Sequence, residues 1–130
     1  MMKPVKTYAI ALSALAVFGA GMLAGQKMNS FKTPSSVLHV ITVQWKSDAT
    51  DTQKQAALDG VKAMAGQVPG VTNIWLKTLK VQPQDYHAVI AMEFKDKAAF
   101  DAYAANPAHK EWEKVYLPVR RESTTHDVTN

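Results

Sequence analysis

A chain of 130 residues suffices for one small domain, and a hydrophobic content of 47% excludes a disordered polypeptide. The absence of cysteine excludes disulfides, thiol nucleophiles and cysteine-based zinc sites. The formal charge of +4 hints at an anionic partner, but the four lysines before Val37 carry the whole excess and the remainder is neutral, so no phosphate-binding face and no nucleic-acid partner is expected.

Residues 1–8 (MMKPVKTY) form a basic n-region. Residues 9–25 (AIALSALAVFGAGMLAG) follow without a charge. As a helix this run would span about 26 Å, short for a membrane crossing and slightly long for the apolar core of a signal peptide. Gly19 and Gly21, or Ala14 and Ala16, offer small residues for cleavage, but none makes a clean A-x-A site. An uncleaved hydrophobic anchor is therefore expected, with a cleaved signal as the alternative. In both cases the basic flank stays in the cytoplasm and the domain is exported: anchored in the inner membrane and facing outward, or periplasmic or secreted. Residues 26–36 are polar, contain Pro34 and read as a linker.

VLHVITVQW (Val37–Trp45) is rich in β-branched and aromatic residues on both parities, which predicts a central strand. Thr50 and Gln53 are spaced as a capping box, and Ala57, Leu58, Val61, Met64, Ala65 and Val68 then recur at helical spacing up to Pro69-Gly70. Strands are predicted at Val71–Val81 and at Tyr86–Phe94, with QPQD as the turn between them. Asp96 is placed to cap a helix that carries Phe100, Tyr103 and Ala104 and stops at Asn106-Pro107, because a residue preceding proline is pushed out of the helical region. Pro107 suits the first turn of a new helix, on which His109, Trp112 and Tyr116 fall on one face. Pro118 closes it, and Val119–Val128 reads as an edge strand.

The order β-α-β-β-α-(α)-β is an α+β, ferredoxin-like plan. Helices on one side leave the other side of the sheet open, and that side is apolar too. A homodimer joining two sheets face to face, a dimeric α/β barrel, is the expected remedy.

Three residues stand out chemically. His109 has the titration range of a general base; as a purely structural ring it would pack beside Trp112. Tyr103 suits orienting a carbonyl or sits as an amphipathic core residue. His39 lies on an apolar strand, as a hydrogen-bonded core histidine or as a second imidazole facing the same cavity. His39, Trp45 and Trp112 are the ligand-binding candidates, although the tryptophans, Trp75 included, also suit the core or a dimer interface. His87 and His126, near Asp85 and Asp127, follow no metal-ligand spacing, and neither a metal nor a cofactor is expected.

The stretch 37–128 resembles the stress-responsive α/β-barrel (Dabb) family. The likeness rests on LHVITVQW in the first strand, VPGVTNIW at the entry to the second, MEFKDKAAFDAYAANPAHKEW with its Y-x-x-x-P-x-H spacing, and HDV in the last strand. It implies a ferredoxin-like monomer paired into a dimeric barrel. A plant polyketide cyclase in this group closes rings without a cofactor, using the tyrosine and histidine at Tyr103 and His109, with a pocket histidine at His39. Its further pocket histidine falls at Ala88, His87 being one place off and facing the other way, and its histidine before the proline is Asn106 here. The resulting expectations are a pocket for a small apolar or aromatic molecule, a cofactor-free cyclase or isomerase using His109 and Tyr103, or a structural stress protein with a filled interior.

Overall fold

The computed structural model describes residues 28–130, so the predicted n-region and anchor lie outside the described residues. Residues 33–130 form one compact unit. Its elements are β1 (Val37–Trp45), α1 (Asp51–Ala65), β2 (Val71–Trp75), β3 (Ala88–Phe94), α2 (Lys97–Tyr103), α3 (Pro107–Tyr116) and β4 (Arg120–Val128).

Local chemistry starts each helix. At α1 both bonds of the capping box form: Gln53 N donates to Thr50 Oγ1, and Thr50 N donates to Gln53 Oε1. Asp96 caps α2 by accepting from Ala99 N at 2.8 Å. Asn106 caps α3 by accepting from Ala108 N at 2.9 Å, with Pro107 in the first turn.

The strands form one antiparallel sheet in the order β2-β3-β1-β4, so β1 is central and β4 is an edge, as its pattern predicts. Alternation along β1 sends Val37, His39, Ile41, Val43 and Trp45 to one side, and the pairing aligns them with Phe94, Met92, Ile90 and Ala88 of β3. Ala57, Val61 and Met64 of α1, Tyr103 of α2, and Trp112 and Tyr116 of α3 close over that side to make the core. Phe94, Ile90, Met92, Val43 and Val61 are the most completely buried large side chains, each worth about 1.5–3 kcal/mol by transfer from water.

Helices α1 and α3 meet at Gly60. A Cβ there would lie 2.9 Å from Trp112 Cδ1, so the missing side chain permits the close approach. Trp112 Nε1 then donates to Ala57 O at 2.8 Å, which fixes the indole across the helix pair.

Two strand boundaries differ from the sequence expectation. The second strand ends at Trp75 rather than Val81, and the third begins at Ala88 rather than Tyr86. The cause is side chains that substitute for ladder carbonyls. Thr78 Oγ1 accepts from Val89 N at 2.8 Å, and His87 Nδ1 accepts from Trp45 N at 2.9 Å. The chain therefore leaves regular pairing while its neighbours' amides stay satisfied.

Leu38, Val40, Val89, Ala91, Trp75 and Val128 share the other side of the sheet by the same alternation. Trp75 is 51% and Val128 56% exposed in the single subunit.

Candidate functional site

The break at Asn106-Pro107 positions the site. Tyr103 closes α2, and four residues later α3 starts in a new direction, with His109 N donating to Asn106 O at 3.0 Å. His109 thus faces back across the break, and its ring lies 4.5 Å from that of Tyr103, edge to face. Along α3 the His109 and Trp112 rings are 5.9 Å apart, and Trp112 stacks on Tyr116 at 4.3 Å. From the sheet, His39 brings its imidazole to 5.5 Å from the Tyr103 ring. Phe94 and Phe100 back this group, with Phe94 5.1 Å from Tyr103 and Phe100 5.6 Å from His39.

His39 has a partner that composition and spacing did not reveal. In the β1–β4 ladder it stands opposite Asp127, and His39 Nδ1 lies 2.5 Å from Asp127 Oδ1. The carboxylate sets the orientation of the imidazole and leaves its other nitrogen toward the aromatic group. The HDV motif was legible in the sequence. Its aspartate became a histidine partner only through strand register.

His39, Phe100, Tyr103, His109, Trp112 and Tyr116 line one cleft of about 390 Å³ between the β1–β4 side of the sheet and the α2–α3 pair. The structure thereby brings together four of the five candidate residues. Trp45, the fifth, is placed outside the cleft. It is buried behind Tyr116, at 6.3 Å and edge to face, and borders a separate surface groove with Lys46, His87 and Arg121. His87 is exposed and Ala88 buried, as alternation requires. Among the described residues no three histidine, aspartate or glutamate side chains are grouped to hold a metal ion.

The electrostatics divide the roles. Burial pushes the Tyr103 hydroxyl well above the usual tyrosine range, with Glu113, Tyr116 and Asp127 adding to the effect, so at neutral pH it is a proton-bearing donor. Burial lowers the His109 pKa, and His39 and Lys110 push the same way. Glu113, whose Oε1 is 3.7 Å from His109 Nδ1, and the Ala104 carbonyl pull in the opposite direction. Desolvation outweighs them, so His109 is neutral and available as an acceptor. Tyr103 Oη, Tyr116 Oη and His109 Nδ1 are all buried without a hydrogen-bond partner among the described residues.

A pH dependence follows from His109. Its pKa is depressed in the folded protein, so below the unfolded value of about 6.5 the unfolded chain binds the proton first. The stability associated with His109 is present above that pH and is lost as pH falls through the folded-state value. Thermal midpoints between pH 7 and 5 should fall more steeply for the parent than for His109→Gln. Parallel slopes would rule out a desolvated imidazole.

Residues 37–130 match the family described as the stress responsive A/B barrel domain. Solved structures agree on the fold. A dabb family protein with a ferredoxin-like fold from Mesorhizobium loti is similar, with a TM-score of 0.64 and 22% identity over 73% of this chain and 96% of that one. A dimeric ferredoxin-like protein from Thermobifida fusca gives a TM-score of 0.65 at 14% identity, over 81% of this chain and all of the other. A hydroxynitrile lyase from Passiflora edulis gives 0.66 at 15% identity, over 73% and 93%. No curated protein matches the chain.

Proposed function

The chain belongs to the stress-responsive A/B barrel domain family, and on that premise we propose that the domain binds a small aromatic or otherwise apolar molecule that carries a polar oxygen, in the cleft between sheet and helices. One observation carries this reading. Three buried polar atoms at an aromatic-walled cleft, Tyr103 Oη, Tyr116 Oη and His109 Nδ1, lack a hydrogen-bond partner among the described residues. A buried polar group left unpaired costs about 1–3 kcal/mol, and three in one place are accounted for by a ligand that pairs with them. The open cleft weighs against a purely structural protein with a filled interior.

A second reading, cofactor-free proton transfer, is favoured by the pairing of a neutral His109 with a proton-bearing Tyr103 4.5 Å away. His109 would take a proton from a carbon next to a carbonyl while Tyr103 donates a hydrogen bond to the developing enolate oxygen. His39, held by Asp127, would orient the same oxygen or return the proton.

Both readings meet one pair of measurements. The first is 2-naphthol binding, followed through the fluorescence of the cleft tryptophan. The second is solvent-deuterium exchange into the methyl group of 2-acetylnaphthalene. His109→Ala should reduce exchange about 10²–10⁴-fold, the usual worth of a positioned acid or base, and Tyr103→Phe should weaken both signals. Binding with no exchange, weakened in His109→Ala, would leave a binding module. Absence of both signals for the parent protein would sink the cleft reading.

We propose further that two copies join their apolar sheet faces; structural relatives are described as dimeric. From the apolar run at 9–25 and its basic flanks we propose export with an N-terminal anchor. Recovery of the full chain in the cytosolic fraction would overturn that placement.

A further inference from the structure

β4 pairs regularly with β1 from Val128 back to Glu122, and then the register slips. Gln44 stands opposite Glu122 while Trp45 stands opposite Arg120, so Arg121 is one residue too many. Such a bulge reverses which side chains face which way. Strict alternation from Asp127, Thr125 and Ser123 would send Arg121 to the helix-covered side and Arg120 to the open side. The extra residue turns Arg120 inward instead, into the same cleft as Ser123, Thr125, Tyr116 and His109.

Arg120 arrives there half-buried and incompletely satisfied. Its Nη1 donates to Ser123 Oγ at 3.1 Å, and its Cζ lies over the Tyr116 ring at 5.5 Å from the centroid. Its Nε is buried with no hydrogen-bond partner, and no carboxylate lies within ion-pair distance of the guanidinium among the described residues. Of the cleft's two acidic residues, Asp101 pairs with Lys97 at 2.6 Å, and Glu113 lies beside His109 on α3, outside ion-pair distance of the guanidinium. A permanently charged guanidinium taken partly out of water without a counter-charge is costly, and its planar fork matches a carboxylate.

We infer that the cleft's ligand is a monocarboxylate, its anionic group bound by the Arg120 guanidinium and its aromatic or apolar body lying along Tyr116 and Trp112 toward His109 and Tyr103. This deepens the reading of the cleft as a ligand site and rests on it. A single arginine, with Glu113 and Asp101 lining the same space, suits one negative charge rather than a phosphate. The Tyr116 hydroxyl, buried and unpartnered on the ring beneath the guanidinium, is a second donor for that end of the ligand. The cation and the His109–Tyr103 pair are joined by an unbroken run of aromatic contacts, Arg120 to Tyr116, Tyr116 to Trp112 and Trp112 to His109. A carboxylate anchored at one end therefore presents the other end of the molecule to the histidine and tyrosine.

The test compares 2-naphthoate with 2-naphthamide, equal in shape and different in charge, by calorimetric titration of the parent, Arg120→Gln and Arg120→Lys. The parent should prefer naphthoate, and Arg120→Gln should lose about 10- to 100-fold of naphthoate affinity, the usual worth of a charge-assisted hydrogen bond, while naphthamide binding stays within about twofold. Arg120→Lys, which keeps the charge and loses the fork, should fall between them. Unaltered naphthamide binding also shows that the variant's cleft is intact. Equal affinity of the parent for both probes, or naphthoate binding unaffected by Arg120→Gln, overturns the carboxylate assignment while the cleft reading stands. Binding of neither probe overturns both.

Discussion

Gly70→Ala is expected to lower the unfolding free energy by about 2–5 kcal/mol, combining a left-handed backbone penalty of roughly 1–2 kcal/mol with overpacking of roughly 1–3 kcal/mol. Gly70 has φ +88°, a conformation that side-chain-bearing residues rarely adopt, and a Cβ there would lie 2.4 Å from Ala99 Cβ. Neither side has a flexible end to yield. The position is also tied down, because Lys95 N donates to Gly70 O at 2.8 Å and joins the turn before β2 to the segment leading into α2. Relief of the clash must move α2, which carries Ala99 one turn before Tyr103, so the strain reaches the cleft. For a domain of this size the melting midpoint should drop by about 10–40 °C. Calorimetry that finds the variant melting with the parent would show that the turn does not hold this geometry.

Ala91→Asp should convert the proposed dimer to folded single subunits. Ala91 lies on the open side of the sheet, between Val40 of β1 and Trp75 of β2. In one subunit the new carboxylate meets water and the fold survives, at a strand-propensity cost of up to about 1 kcal/mol. In a dimer closed over this face, each copy would bring in a charge with no cation opposite it. An uncompensated buried charge costs about 3–5 kcal/mol, so the dissociation constant should rise at least about a thousandfold. The side chain is too short to reach the rim, unlike lysine or arginine. Sedimentation velocity at micromolar concentration provides the reading, with circular dichroism confirming the fold. A variant that still sediments as a dimer would mean that the two sheets do not meet across Ala91.

Much of the fold was legible because its signals are local. The capping box at Thr50 and Gln53, the aspartate before α2 and the Asn-Pro break each act within four residues, and all three form as expected. The strand boundaries around 76–87 were not legible. There Thr78 and His87 use side-chain atoms in place of backbone pairing, and nothing in β-propensity distinguishes such a residue from a regular strand member. Trp45 is a ligand-binding candidate in the sequence but lies outside the cleft. The helices instead place Tyr116 between it and the cleft.

By itself, the amino-acid order determined the succession of elements, the centrality of β1, and the face of α3 that joins His109, Trp112 and Tyr116. Periodicity and capping are properties of neighbours along the chain, and they survive in the folded molecule. Tertiary structure alone decided that Asp127 holds His39 and that an extra residue in β4 turns Arg120 inward. Both depend on the register between strands more than 70 residues apart in sequence, where a slip of one residue sends a side chain to the opposite face.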